Sequence, residues 1–365
     1  MRSAHCFFVL FFVLSVSFPL FSRNKAGNPP SIPVTAMTEE GPGQTLANAG
    51  NVSYWLSYDG SSAIDPDGNS GVIYPRGTAG VVYQDGLVWG ARVAGDNGLS
   101  EIRVGGSTYR TGTQALSSHV YRIRRDWRKL TPVGVLRETA EFFQIKPTEV
   151  TEAQTLEIIA QYKKDWKEWP VEQGAPWVDR DGDGVYNPVT DENGLPDARK
   201  GDYPGIIGAD QVIWYKVDDQ DSTRTKWLYG SLPMGVELQV TVWSYARSWD
   251  ETGQAVFKKY TLRNISNKTF EEMYLSQWSD PDIGNYSDDL VGCDSSLQSI
   301  FAYNSNLDAE FSPYNIGAPA VAYVLLQGPV IPSPGDSAYF NGDIRRDYKN
   351  LPMTSEMDPI VKTKV

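Results

Sequence analysis

The run Asp179-Arg180-Asp181-Gly182-Asp183-Gly184-Val185-Tyr186-Asn187 places carboxylates at alternate positions, then a glycine, then an amide. Calcium is a hard cation that takes six to eight oxygens at about 2.3–2.6 Å. A short loop supplies them when alternate side chains point inward and the backbone turns sharply between them. Asp179, Asp181 and Asp183 each offer a carboxylate oxygen, Val185 its backbone carbonyl, and Asn187 an amide oxygen. Gly184 stands where the turn asks for an unusual φ. Without a cation, three alternating carboxylates repel one another. The pattern thus points to a bound divalent ion and not to a reaction.

This spacing resembles the calcium loops of dockerins, thrombospondin type 3 repeats and EF-hands. It departs from them at position 12, where Thr190 replaces the bidentate acid and Pro188 precedes it. Asp191, or Glu192 beside it, closes the shell after a small shift. A second acidic stretch, Asp280-Pro281-Asp282-Ile283-Gly284-Asn285-Tyr286-Ser287-Asp288-Asp289, has two readings. It is either a second cation site on Asp280, Asp282, Asp288 and Asp289 or an acid-rich loop without an ion. Asp65-Pro66-Asp67-Gly68-Asn69 starts like a calcium loop, but Ser70 follows and no closing acid does, so a turn is the better reading.

The apolar run from Cys6 to Leu14 behind Arg2 reads as a secretory signal over 1–22, too short to span a bilayer comfortably. No later segment reaches 18 uninterrupted apolar residues, so no membrane insertion is expected after signal removal. The net charge of −12 argues against nucleic acid and anionic membranes as partners. Once a signal is removed, Cys293 is the only cysteine and His119 the only histidine. An internal disulfide and zinc sites built on several imidazoles are then excluded. His119 has no nucleophile motif around it, so it reads as a satisfied or surface residue. Glycoside hydrolysis needs only two carboxyls about 5–9 Å apart, and no spacing singles out such a pair. The chain's 11 Trp and 20 Tyr are compatible with sugar stacking. Trp89, Trp214, Trp243 and Trp278, however, fall in strand patterns where core packing is the default.

Residues 23–48 read as a flexible leader and 49–115 as an N-terminal β region, with a hairpin expected at Asp85-Gly86. A helical insert follows over 116–170. In it, Thr151 and Gln154 form a capping box, Leu156, Ile159, Lys163 and Trp166 share a face, and Pro170 ends the helix. The Asp/Gly-rich calcium loop occupies 171–210. A C-terminal β-sandwich region fills 211–365, where Val236, Leu238, Val240 and Val242 alternate with Glu237, Gln239 and Thr241 and predict one wet face, with Trp243 and Tyr245 on that face marking cover near its end. The expected class is mainly β: antiparallel sandwiches with a small helical insert and a long calcium-binding loop.

Several phrases together resemble one group of proteins: Asn51–Trp55, Asp59-Gly60-Ser61, Asp85–Ala91, Trp177–Pro188, Gly208–Trp214 and Ser279–Gly284. The group is uncharacterised secreted proteins of Bacteroidota-related and Ignavibacteria-like bacteria, routed through type IX secretion. The resemblance implies export and carries over no catalytic residue. Such proteins typically end in a β-sandwich sorting domain, and ending at Val365 without one implies a truncated chain. The expected function is a secreted or surface-located, calcium-stabilised structural or adhesion protein without catalysis, facing an extracellular glycan or another surface component. The alternative is a secreted carbohydrate-binding protein or glycoside hydrolase.

Overall fold

A computed structural model describes residues 3–14 (backbone course only), 43–95, 98–247, 249–304, 307–340 and 343–354. Strands β1 (Ser3–Leu14), β2 (Gln44–Ala47), β3 (Ser53–Ser57), β4 (Val72–Ile73), β5 (Gly80–Val82), β6 (Gln84–Ala94), β7 (Ser100–Gly106), β8 (Gln114–Ala115) and β9 (Tyr121–Arg124) come first. Helices α1 (Leu136–Phe143) and α2 (Glu152–Lys167) follow, then the short strands β10 (Trp177–Val178) and β11 (Tyr203–Pro204). The remainder runs β12 (Gln211–Asp218), α3 (Ser222–Tyr229), β13 (Val236–Ser244), β14 (Ala255–Asn264), β15 (Phe270–Asp280), β16 (Asp289–Asp294), β17 (Ser299–Asn304), β18 (Pro319–Gln327), β19 (Val330–Phe340) and β20 (Asp343–Asn350).

The large sheet has the order β16-β17-β18-β1-β14-β13-β12-β8, with β9 also pairing β12, and all its ladders are antiparallel. Facing it are the ladders β2-β3-β4-β5 and β15-β6-β7. The fold is therefore mainly β, in sandwich form. Alternation along β12 shows how the layers are built. Ile213, Tyr215 and Val217 enter the core between the sheets with Tyr54, Trp89, Val240 and Leu262. Val212 and Trp214 point the other way, into a second core with Tyr121, Phe142, Ile158, Tyr162 and Trp166. Strands buried on both faces lose the polar alternation of a half-exposed sheet.

That second core corrects the wet face expected of β13. Glu237, Gln239 and Thr241 are all buried: they share a face with Trp243, which packs against that core, and the first two have polar partners. Gln239 donates to the Gln173 carbonyl (3.2 Å), while Lys216 and Arg263 pair with Glu237. On α2, Thr151 and Gln154 form the expected capping box. The buried stripe is Thr155, Ile158, Tyr162, Asp165 and Trp166, while Leu156 is half exposed. Two polar residues enter that stripe because each is satisfied: the Thr155 hydroxyl donates to the Glu152 carbonyl, and Asp165 holds His119.

Asp85-Gly86 is not a hairpin. It lies inside β6, with Asp85 fully buried, and a Cβ on Gly86 would sit 2.2 Å from the Ser107 carbonyl oxygen. The glycine serves a close strand approach rather than a turn. Asp65–Asn69 is a turn: the Asn69 N–H donates to Asp65 Oδ1 (2.7 Å) and Gly68 has φ +83°. Within the stretch read as leader, Gln44–Ala47 is a strand whose Leu46 is fully buried. Within the stretch read as an export signal, β1 pairs β14 on one side and β18 on the other.

Candidate metal centre

The acidic run leaves the fold at β10 and returns at β11, where Trp177 pairs Pro204 and Val178 pairs Tyr203. Ligand atoms of Asp179, Asp181 and Asp183 lie within 4.8 Å of one another, and they are the one such acidic group among the described residues. Gly182 (φ +78°) and Gly184 (φ +77°) make the turns between them. Asp179 accepts from the Gly182 N–H (2.7 Å) and the Gly184 N–H (2.8 Å), and these bonds, Gly184 first, draw its carboxyl below the usual range. Asp183 Oδ1 accepts from the Val185 N–H, and its Oδ2 accepts from Asn187 Nδ2 (2.9 Å). That bond uses the donor end of the Asn187 amide and leaves its oxygen for a cation. The only basic residue inside the run, Arg180, sends its guanidinium to the Ala198 carbonyl. This donor set of hard oxygens fits calcium.

Asp202 holds the loop shut, and nothing in the alternating pattern marks it. It is 1% exposed; its Oδ1 accepts from the Arg180 N–H (2.9 Å) and its Oδ2 from the Asn187 N–H (3.0 Å). The two ends of the acidic run are thereby clamped to one carboxylate. Tyr186 packs edge-on against Trp177, and burial, reinforced by Asp202, pushes its phenol up to about 12. Asp191 is not in that acidic group. Its Oδ1 accepts from the Asn193 and Leu195 N–H groups and its Oδ2 from Arg128 (2.8 Å).

In the second acidic stretch Asp280 accepts from the Tyr109 hydroxyl (2.7 Å) and acts with Asp282 on Tyr83, while Asp282, Asp288 and Asp308 each act electrostatically on Asp289. Burial, only partly opposed by the Ile283 N–H and reinforced by these neighbours, lifts the Asp289 carboxyl to about 8. Asp308 and Asn304 join the cluster: Asn304 Nδ2 donates to Asp288 Oδ1 (3.1 Å), and Asp308 Oδ2 accepts from the Asn285 N–H (2.7 Å). Sequence distance hid both.

The sandwich core contains a buried charge pair. Lys258 Nζ lies 3.0 Å from Asp85 Oδ2 and 3.1 Å from Oδ1, and it also donates to the Tyr54 hydroxyl. Tyr54 donates to Asp85 Oδ1 (2.5 Å), Tyr323 to Oδ2 (3.0 Å), and the Ser62 hydroxyl completes the shell. Burial pushes the Lys258 ammonium down, and the Asp85 carboxylate pushes it back. His119 is satisfied rather than poised. Its Nε2 meets Asp165 Oδ1 (2.9 Å) and its Nδ1 the Ser118 hydroxyl (3.0 Å). Asp165 also accepts from the Arg122 N–H and Gln161, which makes it a tie between β9 and α2. The nearby pocket lined by Ile123, Trp166, Tyr203 and Val212 measures about 10 Å³, room for one water. Trp89 and Trp214 are buried in the two cores, as their strand positions predict.

No protein family, curated protein or solved structure matches the chain.

Proposed function

We propose that the protein is an exported, calcium-braced β-protein that acts as an extracellular structural or adhesive element rather than an enzyme. The observation that carries this reading is the convergence of Asp179, Asp181 and Asp183 on a loop clamped at both ends by Asp202. The acidic balance and the apolar segment behind Arg2 support the export half of it. Asp179, Asp181, Asp183 and the Asn187 amide oxygen would hold the ion, whose charge offsets their repulsion and fixes the loop on the β10–β11 base.

Extracellular modules bind calcium with dissociation constants of about 10⁻⁴–10⁻³ M. An ion at a hundredfold that constant stabilises the folded chain by roughly 2.7 kcal/mol through mass action. The test is thermal melting of the full chain in EGTA, in calcium and in magnesium. The melting temperature should fall in EGTA and recover with calcium only, because magnesium demands a tight octahedron and gives up water reluctantly. Identical melts in all three would remove the calcium half of the proposal.

A carbohydrate-binding reading has one observation in its favour, the 79% exposed Trp249. The other well-exposed indole, Trp227, has Arg110 over its ring at 4.3 Å. A glycan array on wild type and Trp249→Ala decides it, and binding lost in the variant would establish a lectin-like role.

A further inference from the structure

The large sheet contains a position filled by a segment that export would remove. Strand β1 lies between β14 and β18 and is antiparallel to both, with Val9 opposite Phe257 on one side and Val324 on the other. Two strand spacings therefore separate β14 from β18, about 9–10 Å. The flanking strands also share an anchor outside β1. Lys258 of β14 and Tyr323 of β18 are both bonded to the same buried carboxylate, Asp85 of β6 in the facing sheet. Tyr323 is further held by the Ser279 hydroxyl of β15 (2.9 Å). The two flanking strands are thus pegged to the opposite layer at a fixed separation. With β1 gone, each would present a row of unpaired N–H and C=O groups inside the sheet, which is costly unless filled. Direct closure would have to join β14 and β18 in parallel, and it would pull Lys258 or Tyr323 off Asp85.

We propose that the exported form is a strand acceptor: the gap between β14 and β18 takes an extended, largely apolar strand supplied by a second polypeptide. The proposal rests on the export reading. The chemistry of the occupant follows from the register. Positions 6, 8, 10 and 12 of β1 stand opposite Tyr260, Lys258, Val256, Leu325, Tyr323 and Val321, all of which belong to the inward, buried rows of their strands. An incoming strand therefore needs apolar residues at alternate positions, antiparallel to both neighbours, over the nine residues that β1 pairs with β14. Main-chain bonding on both edges supplies the affinity, and the inward row supplies the selectivity.

The test uses the chain from Arg23 onward and a synthetic peptide of residues 3–14 with Cys6→Ser and a tri-lysine tail for solubility. The expected result is one-to-one binding, with slowed amide exchange confined to β14, β18 and their neighbours. A Val9→Pro peptide should bind at least about tenfold more weakly, because proline cannot complete a central ladder. Should the leaderless chain be insoluble alone, recovery in soluble form on co-expression with the peptide, and not with its proline version, counts as the same result. Protection, without peptide, of those β14 and β18 amides that face the gap, or insolubility that the peptide does not relieve, overturns the proposal. N-terminal sequencing of the protein recovered outside the cell separates the two readings. Retention of residues 3–14 there sinks the premise that export removes this strand, whereas refusal of the peptide by a properly trimmed chain sinks the acceptor site alone.

Discussion

Replacing Lys258 by methionine keeps most of the side-chain volume and removes the ammonium from a site where Lys258 is 3% exposed and Asp85 fully buried. Breaking one partner out of a buried pair costs about 3–5 kcal/mol, because the other charge stays behind uncompensated. The two partners are not equivalent here. Asp85 without Lys258 still accepts from Tyr54, Tyr323 and Ser62, so Lys258→Met belongs near 3 kcal/mol, the low end of that range. Asp85→Asn removes the charge on which Lys258 and three hydroxyls converge, so it belongs near 5 kcal/mol, the high end. The double variant carries no buried charge and should recover part of the loss. Urea-unfolding free energies of the four proteins close the cycle, and a coupling of at least about 2 kcal/mol is expected for groups in direct contact. Additivity to within about 0.5 kcal/mol would show that the two residues do not meet, and with it would go the pegging of β14 to β6.

Three further outcomes follow from individual side chains. Asp202→Ala should weaken calcium binding without touching a ligand, read as a calcium midpoint moved at least about tenfold in a melting titration, since it frees the Arg180 and Asn187 N–H groups that close the loop. Gly184→Ala meets no atom within 4 Å, so its effect is purely the left-handed backbone at φ +77°, about 1 kcal/mol, visible as a lower melting temperature in calcium. Asp289→Asn addresses pH. A carboxyl lifted to about 8 keeps its proton in the folded state while the unfolded chain has lost it, so stability falls as pH rises from about 4 to 8 and is level above. The variant should flatten that slope and melt higher than wild type at pH 8, and an unchanged slope would show that Asp289 ionises normally.

The acidic loop was legible because its determinants are local: alternation, glycine placement and the Asn187 amide all fall within one short run. Helix α2 was legible for the same reason at its start, where Thr151 and Gln154 cap it. Its buried face was not, because hydrophobicity alone cannot reveal that Thr155 and Asp165 have partners waiting. The wet face assigned to most of β13 failed because the layer covering it is built from a distant segment; only Trp243 and the following Tyr245 mark that cover in the sequence. Asp202 and Asp308 reach their sites from beyond the acidic runs and carry no spacing signal. Lys258 did carry one. It alternates with Val256, Tyr260 and Leu262, so period two places it in the core, and a lysine at a core position demands a buried anion.

Calorimetric titration of calcium into the EGTA-stripped chain decides whether the acidic loop holds an ion. A saturable heat lost in Asp181→Ala and unaffected by Asp191→Ala is the result expected from the carboxylates that converge at Asp179, Asp181 and Asp183. The absence of any saturable heat, or a heat that survives Asp181→Ala, would mean that this loop stands without an ion.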